Sequence, residues 1–200
     1  MSMSRESSGT LDRRDVVKAI LDQRGDALVV TGLGSSCYDA GVYDHPNTFY
    51  LWGAMGAAAM IGLGLALAQP QRRVVVITGD GEMLMGLGSL ATIAAQKPGN
   101  LSIVVLDNEL YAETGMQPTH TARGVDLGGM AKAAGFTVAD TVRTDEDVTA
   151  ALDSIYKTQG TVFFDVKVSS ARYSMSIRMR DGAHIKNRFR ENLLGQKAFD

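Results

Sequence analysis

Two apolar runs, Val74-Val75-Val76-Ile77 and Ile103-Val104-Val105-Leu106, carry no polar residue at alternate positions. A strand with one wet face alternates, so continuous runs of this kind predict parallel strands covered on both sides. The segment between them, Met83 to Gln96, reads as a helix and ends at the turn Pro98-Gly99-Asn100, giving a strand, a crossover helix and a second strand. Ala27 to Thr31 and Thr161 to Val168 predict two further buried strands. Asp12 to Gln23 is amphipathic and closed by Gly25, and Asp126 to Ala134 is also helical. Thr144 to Thr158 opens with a threonine cap and an acidic first turn, and its apolar residues recur at helical spacing. Phe49-Tyr50-Leu51-Trp52 leads into Gly53 to Gln69, a helix rich in Gly and Ala. Each interior Gly costs about 1 kcal/mol of helix stability, so close packing against the sheet or a partner subunit must compensate. Alternating strands and helices predict one α/β domain of three layers, a mostly parallel sheet with helices on both faces.

The chemistry sits where the two runs stop. Gly79-Asp80-Gly81 follows the first and Asp107-Asn108 the second. Both tips fall at the carboxyl edge of the sheet, where open α/β sheets bind ligands. A carboxylate and an amide oxygen brought together suit a hard cation such as Mg²⁺, which completes its octahedron with phosphate oxygens and water. Gly81-Glu82 would turn the N–H groups and positive end of the following helix toward the same edge, favouring a metal-bridged diphosphate. Either motif alone is also an ordinary turn; the pairing on one edge carries the reading. A third donor-rich loop, Gly32-Leu33-Gly34-Ser35-Ser36, follows the strand at Ala27 to Thr31. Glu109 to Arg123 predicts a long loop at the same edge, holding Tyr111, Thr114 and His120.

Composition narrows the class without changing this picture. A chain of 200 residues with 45% apolar content and 21% charge can bury a substantial core as one domain. A net charge of −2 argues against a general nucleic-acid binder. No stretch has the apolar length of a membrane span; Phe49 to Ala68 comes nearest and is mostly Gly and Ala. One cysteine, Cys37, excludes an internal disulfide framework or a multi-cysteine iron–sulfur site, so a cytoplasmic setting is expected. Residues 1–10, polar and serine-rich, are expected to be a disordered lead-in, with the domain over 11–200. Residues 169–200 form a basic tail whose arginines predict a solvated or subunit-contacting face.

Gly79-Asp80-Gly81 with Asp107-Asn108 resembles the paired signature of thiamine-diphosphate enzymes, and Tyr50-Leu51-Trp52-Gly53-Ala54-Met55-Gly56 is similar to the segment with which they grip the aminopyrimidine ring. The likeness runs from about Thr31 to His120, and Asp107-Asn108-Glu109-Leu110-Tyr111-Ala112-Glu113-Thr114-Gly115 looks most like the branch of sulfopyruvate and phosphonopyruvate decarboxylases. The resemblance implies a thiamine-diphosphate-binding fold with thiamine diphosphate and Mg²⁺ as cofactors. Asp80, the Asn108 side chain and the Leu110 carbonyl would be the metal ligands. Backbone groups of Gly81, Glu82 and Tyr111 to Glu113 would meet the diphosphate, with Gly34 and Ser35 nearby. Gly53 and Met55 would hold the pyrimidine, Met55 wedging between the rings. His120 is the candidate proton donor. Asp107 stands where relatives carry asparagine, a change of little expected consequence because the second residue is the ligand; Met116 stands where relatives carry a smaller or polar residue.

The resemblance also implies a missing half. Relatives use a glutamate from a pyrimidine-binding domain, and no second domain fits beside this one. A separate α-type subunit is therefore expected to supply that glutamate, in a hetero-oligomer such as a dimer of heterodimers. The expected activity is decarboxylation of a 2-oxo acid. A carboligase or 2-oxo acid oxidoreductase subunit, and a non-catalytic module that binds only the diphosphate cofactor, remain open. An acid bearing a sulfonate or phosphonate needs a cation, for which Arg123, Arg143 or a partner arginine are candidates.

Overall fold

The computed structural model describes residues 8–176 and 180–198. Its centre is a six-stranded sheet in the order β2-β1-β3-β4-β8-β7, every pair parallel, built from β1 (Leu28–Thr31), β2 (Thr48–Tyr50), β3 (Val74–Gly79), β4 (Leu101–Asp107), β7 (Val138–Val142) and β8 (Val162–Lys167). The short strands β5 (Leu110–Tyr111) and β6 (Gln117–Pro118) form a separate antiparallel hairpin. Side chains of the continuous apolar runs alternate between two cores. Val75, Ile77, Val104 and Leu106 pack with α1 (Arg13–Asp22) and α7 (Asp145–Lys157) on one face. Val74, Val76, Ile103 and Val105 pack on the other face with α3 (Ala58–Ala68), α5 (Ser89–Gln96) and α6 (Leu127–Ala134). Both faces are covered, which is why these strands need no polar side.

Several helices end where their sequence chemistry directs. Asp12 caps α1 by accepting from the Arg14 and Asp15 N–H groups, and Thr144 with Asp147 forms a reciprocal capping box on α7. Gly62 explains part of the Gly-rich α3: a Cβ there would overlap Val76 Cγ2, so the helix needs glycine to lie against β3.

The structure departs from the sequence reading in four places. The helix expected over Met83 to Gln96 is two helices, α4 (Asp80–Met85) and α5, separated at Gly86-Leu87-Gly88. Gly86 crosses directly under the Gly56 carbonyl, leaving no space for a side chain, and the helix stops there. The helix expected from Gly53 begins only at Ala58, because Ala54 and Gly56 take left-handed φ values of 54° and 96° in a tight turn. β2 and β7 are edge strands, short or half-exposed, without the apolar run that marks a buried strand. The basic tail holds α8 (Gly182–Leu194), which buries Ile185 and Phe189. Most of the expected lead-in, residues 1–7, lies outside the described residues; Ser8 already bonds to Glu109.

This topology fixes where a ligand can go. The chain leaves β1 toward β2 on one side, then returns across the sheet to β3 on the other side of β1. The loops after β1 and β3 therefore diverge and leave a crevice at their carboxyl ends.

Candidate active site

A cavity of about 320 Å³ fills that crevice. Leu33 to Ser36 line it from the end of β1, Gly79 to Glu82 from β3, and Leu106 and Asn108 from β4. Leu110 to Thr114 close one side, with α2 (Ser35–Gly41) starting at the rim; Met55 and Met85 complete the wall. Residues far apart in sequence thus converge because three parallel strands end together.

Asp80 is 2% exposed at the first position of α4. Burial pushes its carboxyl up to about 7, and the negative Asp107 beside it adds to the effect. Thr119 Oγ1 donates to Asp80 Oδ2 at 2.6 Å, and Thr121 Oγ1 lies 3.3 Å from the same oxygen. Both threonine contacts fall on Oδ2 and neither on Oδ1. A buried carboxylate whose ionised form is disfavoured by its surroundings is one that a divalent cation would stabilise strongly.

The tip of β4 is shaped by two successive side-chain turns. Asp107 Oδ1 accepts from the Glu109 N–H at 2.8 Å and Asn108 Oδ1 from the Leu110 N–H at 3.1 Å. Glu109 between them takes a left-handed φ of 63°. The Asn108 amide oxygen has a second lone pair, so this bond does not use it up. Thr119 N–H donates to the Glu109 carbonyl at 2.9 Å, so the next pair of the small hairpin, Leu110 with Pro118, is the non-hydrogen-bonded one and the Leu110 carbonyl points away from β6. Among the described residues, no group of three or more His, Cys, Asp or Glu side chains could hold a metal alone. The donor set of Asp80, Asn108 and the Leu110 carbonyl fits a hard cation that draws its remaining oxygens from a phosphate ligand and water.

Glu82 organises the opposite wall. Its carboxylate accepts from the Leu33 N–H at 2.8 Å and the Ala58 N–H at 3.3 Å, tying the β1 loop to the start of α3. Burial pushes its carboxyl up, and these bonds pull against that. Gly81 lies under the Tyr111 ring, where a Cβ would come within 2.5 Å of the ring edge. Gly34, with φ of 75°, leaves space for the Glu113 carboxylate.

Behind the cavity lies a charged cluster. Lys167 Nζ pairs with Asp107 Oδ2 and with Asp165 Oδ2, the latter at 3.0 Å, and all three side chains are buried. Thr121 Oγ1 joins the cluster to the Asp80 side by bonding Asp107 Oδ1 at 2.9 Å and Thr119 Oγ1 at 2.9 Å. Asp107, read from sequence as an indifferent replacement, is therefore fully engaged. Charged residues on one face of the otherwise apolar strand Phe163-Phe164-Asp165-Val166-Lys167 were the available signal.

Gly34, Ser35, Met55, Asp80, Gly81, Glu82, Asn108, Leu110, Tyr111 and Glu113 all line the cavity. Gly53 does not, although it stands two residues before Met55. His120 is exposed ahead of a short 3-10 turn and lies outside the lining, so the geometry gives it no part in the cavity. Cys37 is buried, and burial pushes its thiol up to about 11, which leaves it inert near neutral pH.

Residues 33–166 match the family of the thiamine pyrophosphate enzyme, C-terminal TPP binding domain. The sulfopyruvate decarboxylase subunit beta of Methanothermobacter thermautotrophicus is 41% identical over 186 residues, covering 92% of this chain and 97% of that one. The phosphonopyruvate decarboxylase of Streptomyces viridochromogenes is 44% identical over 136 residues, which is 68% of this chain and 34% of that larger protein. The structure of benzoylformate decarboxylase from Polynucleobacter necessarius shares the fold with a TM-score of 0.64 at 24% identity, over 79% of this chain and 33% of that one. The chain belongs to the thiamine pyrophosphate enzymes, as a C-terminal TPP-binding domain related to sulfopyruvate decarboxylase β subunits.

Proposed function

We propose that this chain is the β-type, diphosphate-binding subunit of a 2-oxo acid decarboxylase that uses thiamine diphosphate and Mg²⁺. The observation that carries the reading is the cavity at the β1–β3 switch point, where Asp80, Asn108 and Leu110 line one wall. In this reading those three hold Mg²⁺, and backbone groups of Gly81, Glu82 and Tyr111 to Glu113 contact the diphosphate. Met55 shapes the coenzyme from the apolar side, and Tyr111 and Thr114 present hydroxyls along the wall. When bound, the coenzyme supplies an electron sink for the pair released as CO2 leaves. The relatives of similar length are named as β subunits, and the phosphonopyruvate decarboxylases carry this region as about a third of one longer chain. Both facts support a separate pyrimidine-domain polypeptide that adds the glutamate acting on the aminopyrimidine.

Exposed apolar side chains at the cavity and along α3 support the same partner. Met85 lines the cavity yet is 63% exposed, and Trp52, Met60 and Leu67 are 39%, 42% and 50% exposed. No helix among the described residues is long and apolar enough to cross a membrane. The test is reconstitution with the pyrimidine-domain partner and measurement of CO2 release from sulfopyruvate and phosphonopyruvate. Release should need both polypeptides, Mg²⁺ and thiamine diphosphate, and Asp80→Ala should abolish it. Full activity of the Asp80→Ala complex without added metal would overturn the assignment.

A further inference from the structure

A second cavity of about 180 Å³ adjoins the first and shares Arg13, Ser35, Asn108, Ala112 and Glu113 with it. Its far wall is the segment that follows β8, Ser170 to Met175, which includes Arg172. This segment is clasped to the start of α1 on both sides of Arg172. Arg13 donates to the Ala171 carbonyl at 3.2 Å, and Arg14 donates to the Ser174 carbonyl at 2.6 Å. The Tyr173 ring lies 4.5 Å from the Arg14 guanidinium carbon, and its hydroxyl bonds Asp12. The backbone that carries Arg172 is thus fixed, while the Arg172 guanidinium has no ion-pair or hydrogen-bond partner among the described residues.

Charge around this cavity favours an anion. Asp39 is buried and held by two arginines, Arg13 and Arg14, so that group leaves a positive excess. Arg180, which donates to Met175 Sδ at 3.7 Å, adds a further positive charge nearby, where it opposes the burial and the Glu113 charge that push the Tyr38 phenol up. Glu113 is the opposing acid on the shared rim. Arg123 and Arg143, the candidates offered by the sequence, line neither cavity.

We infer that Arg172 anchors the second anionic group of the substrate, a sulfonate or phosphonate, in this side cavity while the 2-oxo acid end reaches the coenzyme cavity. The inference rests on the decarboxylase reading. Arginine suits the role because its planar fork meets two oxygens of a tetrahedral oxyanion at once. The Ser35 and Tyr38 hydroxyls on the same wall add neutral donors.

Calorimetric titration of the full chain with sulfoacetate, a stable acid with one carboxylate and one sulfonate, tests it. Saturable binding is expected, weakened roughly tenfold or more by Arg172→Met and partly restored by Arg172→Lys. Acetate should bind far more weakly and ignore both substitutions. Arg172 has no partner among the described residues, so thermal melts of the variants should match the parent; if Arg172→Met melts early, Arg172→Gln gives the same comparison. Equal sulfoacetate affinity in parent and variants, or no saturable binding to the parent, overturns the inference. The decarboxylase reading fails separately, if a chain that binds sulfoacetate through Arg172 releases no CO2 from any 2-oxo acid with its partner.

Discussion

Thr119 Oγ1 stands 2.6 Å from Asp80 Oδ2, a bond between residues 39 positions apart that fixes the carboxylate at the end of β3. Thr119 is itself 1% exposed. Removing the hydroxyl leaves Oδ2 with only the longer Thr121 contact and lets the carboxylate rotate away from the orientation a cation needs. Thr119→Val should therefore raise the Mg²⁺ concentration that half-saturates thiamine diphosphate binding by about tenfold, equivalent to losing one hydrogen bond to a charged group. The melting temperature should fall only a few degrees. A variant with unchanged Mg²⁺ dependence would show that the threonine does not orient the ligand.

The Lys167 ammonium is flanked by Asp107 and Asp165, and none of the three is near solvent. Removing the cation strands the buried Asp107 carboxylate and takes the partner from Asp165; breaking a buried pair in this way typically costs about 3–5 kcal/mol. Lys167→Met should lower the melting temperature by roughly 10 °C in a chain of this size. Adding Asp107→Asn removes one stranded charge, so the double variant should melt higher than Lys167→Met alone. Thermal denaturation of the two proteins decides it; a double variant that melts lower would mean that Asp107 contributes through Thr121 and Glu109 rather than through the pair.

The same two strands show what was readable beforehand. β3 and β4 announce themselves by apolar runs, and Asp80 and Asn108 by polar residues where those runs stop, because both signals are local. The break between α4 and α5 was invisible, since it depends on the Gly56 carbonyl pressing on Gly86 from a different segment. Asp107 looked like a tolerated replacement because its counterion lies 60 residues further on. Thr119 and Thr121 carry no local signal, since only the folded hairpin brings them onto Asp80. His120, one residue from Thr119, drew attention as a titratable side chain in the same loop, yet the turn that buries its neighbours leaves it exposed.

The exposed apolar surface predicts where the partner binds. Leu67 and Met85 are 50% and 63% exposed, so a charge placed at either position can stay in solvent. Leu67→Glu and Met85→Glu should melt within a degree or two of the parent alone, because surface substitutions usually change stability by less than about 0.5 kcal/mol. Both should weaken co-purification with the pyrimidine-domain partner, Met85→Glu more so because it borders the coenzyme cavity. Undiminished association of both variants would move the interface to another face.

Asp165 predicts the pH dependence of stability. Burial pushes its carboxyl up to about 7, Asp107 adds to this, and Lys167 only partly offsets both; its Oδ1 has no partner among the described residues. The folded chain therefore holds a proton on Asp165 that the unfolded chain releases near the ordinary value of 3.8. A raised folded value means that stability from this group is present in acid and is lost as pH climbs from about 4 through about 7. Asp165→Asn keeps the shape, cannot ionise, and leaves Lys167 paired with Asp107. Relative to the parent, this variant should gain on the order of 2 kcal/mol between pH 5 and pH 8, or roughly 5 °C in melting temperature. Melts of parent and variant across that interval are the measurement; parallel curves would show that Asp165 is already ionised in the folded chain at pH 5, held so by Lys167.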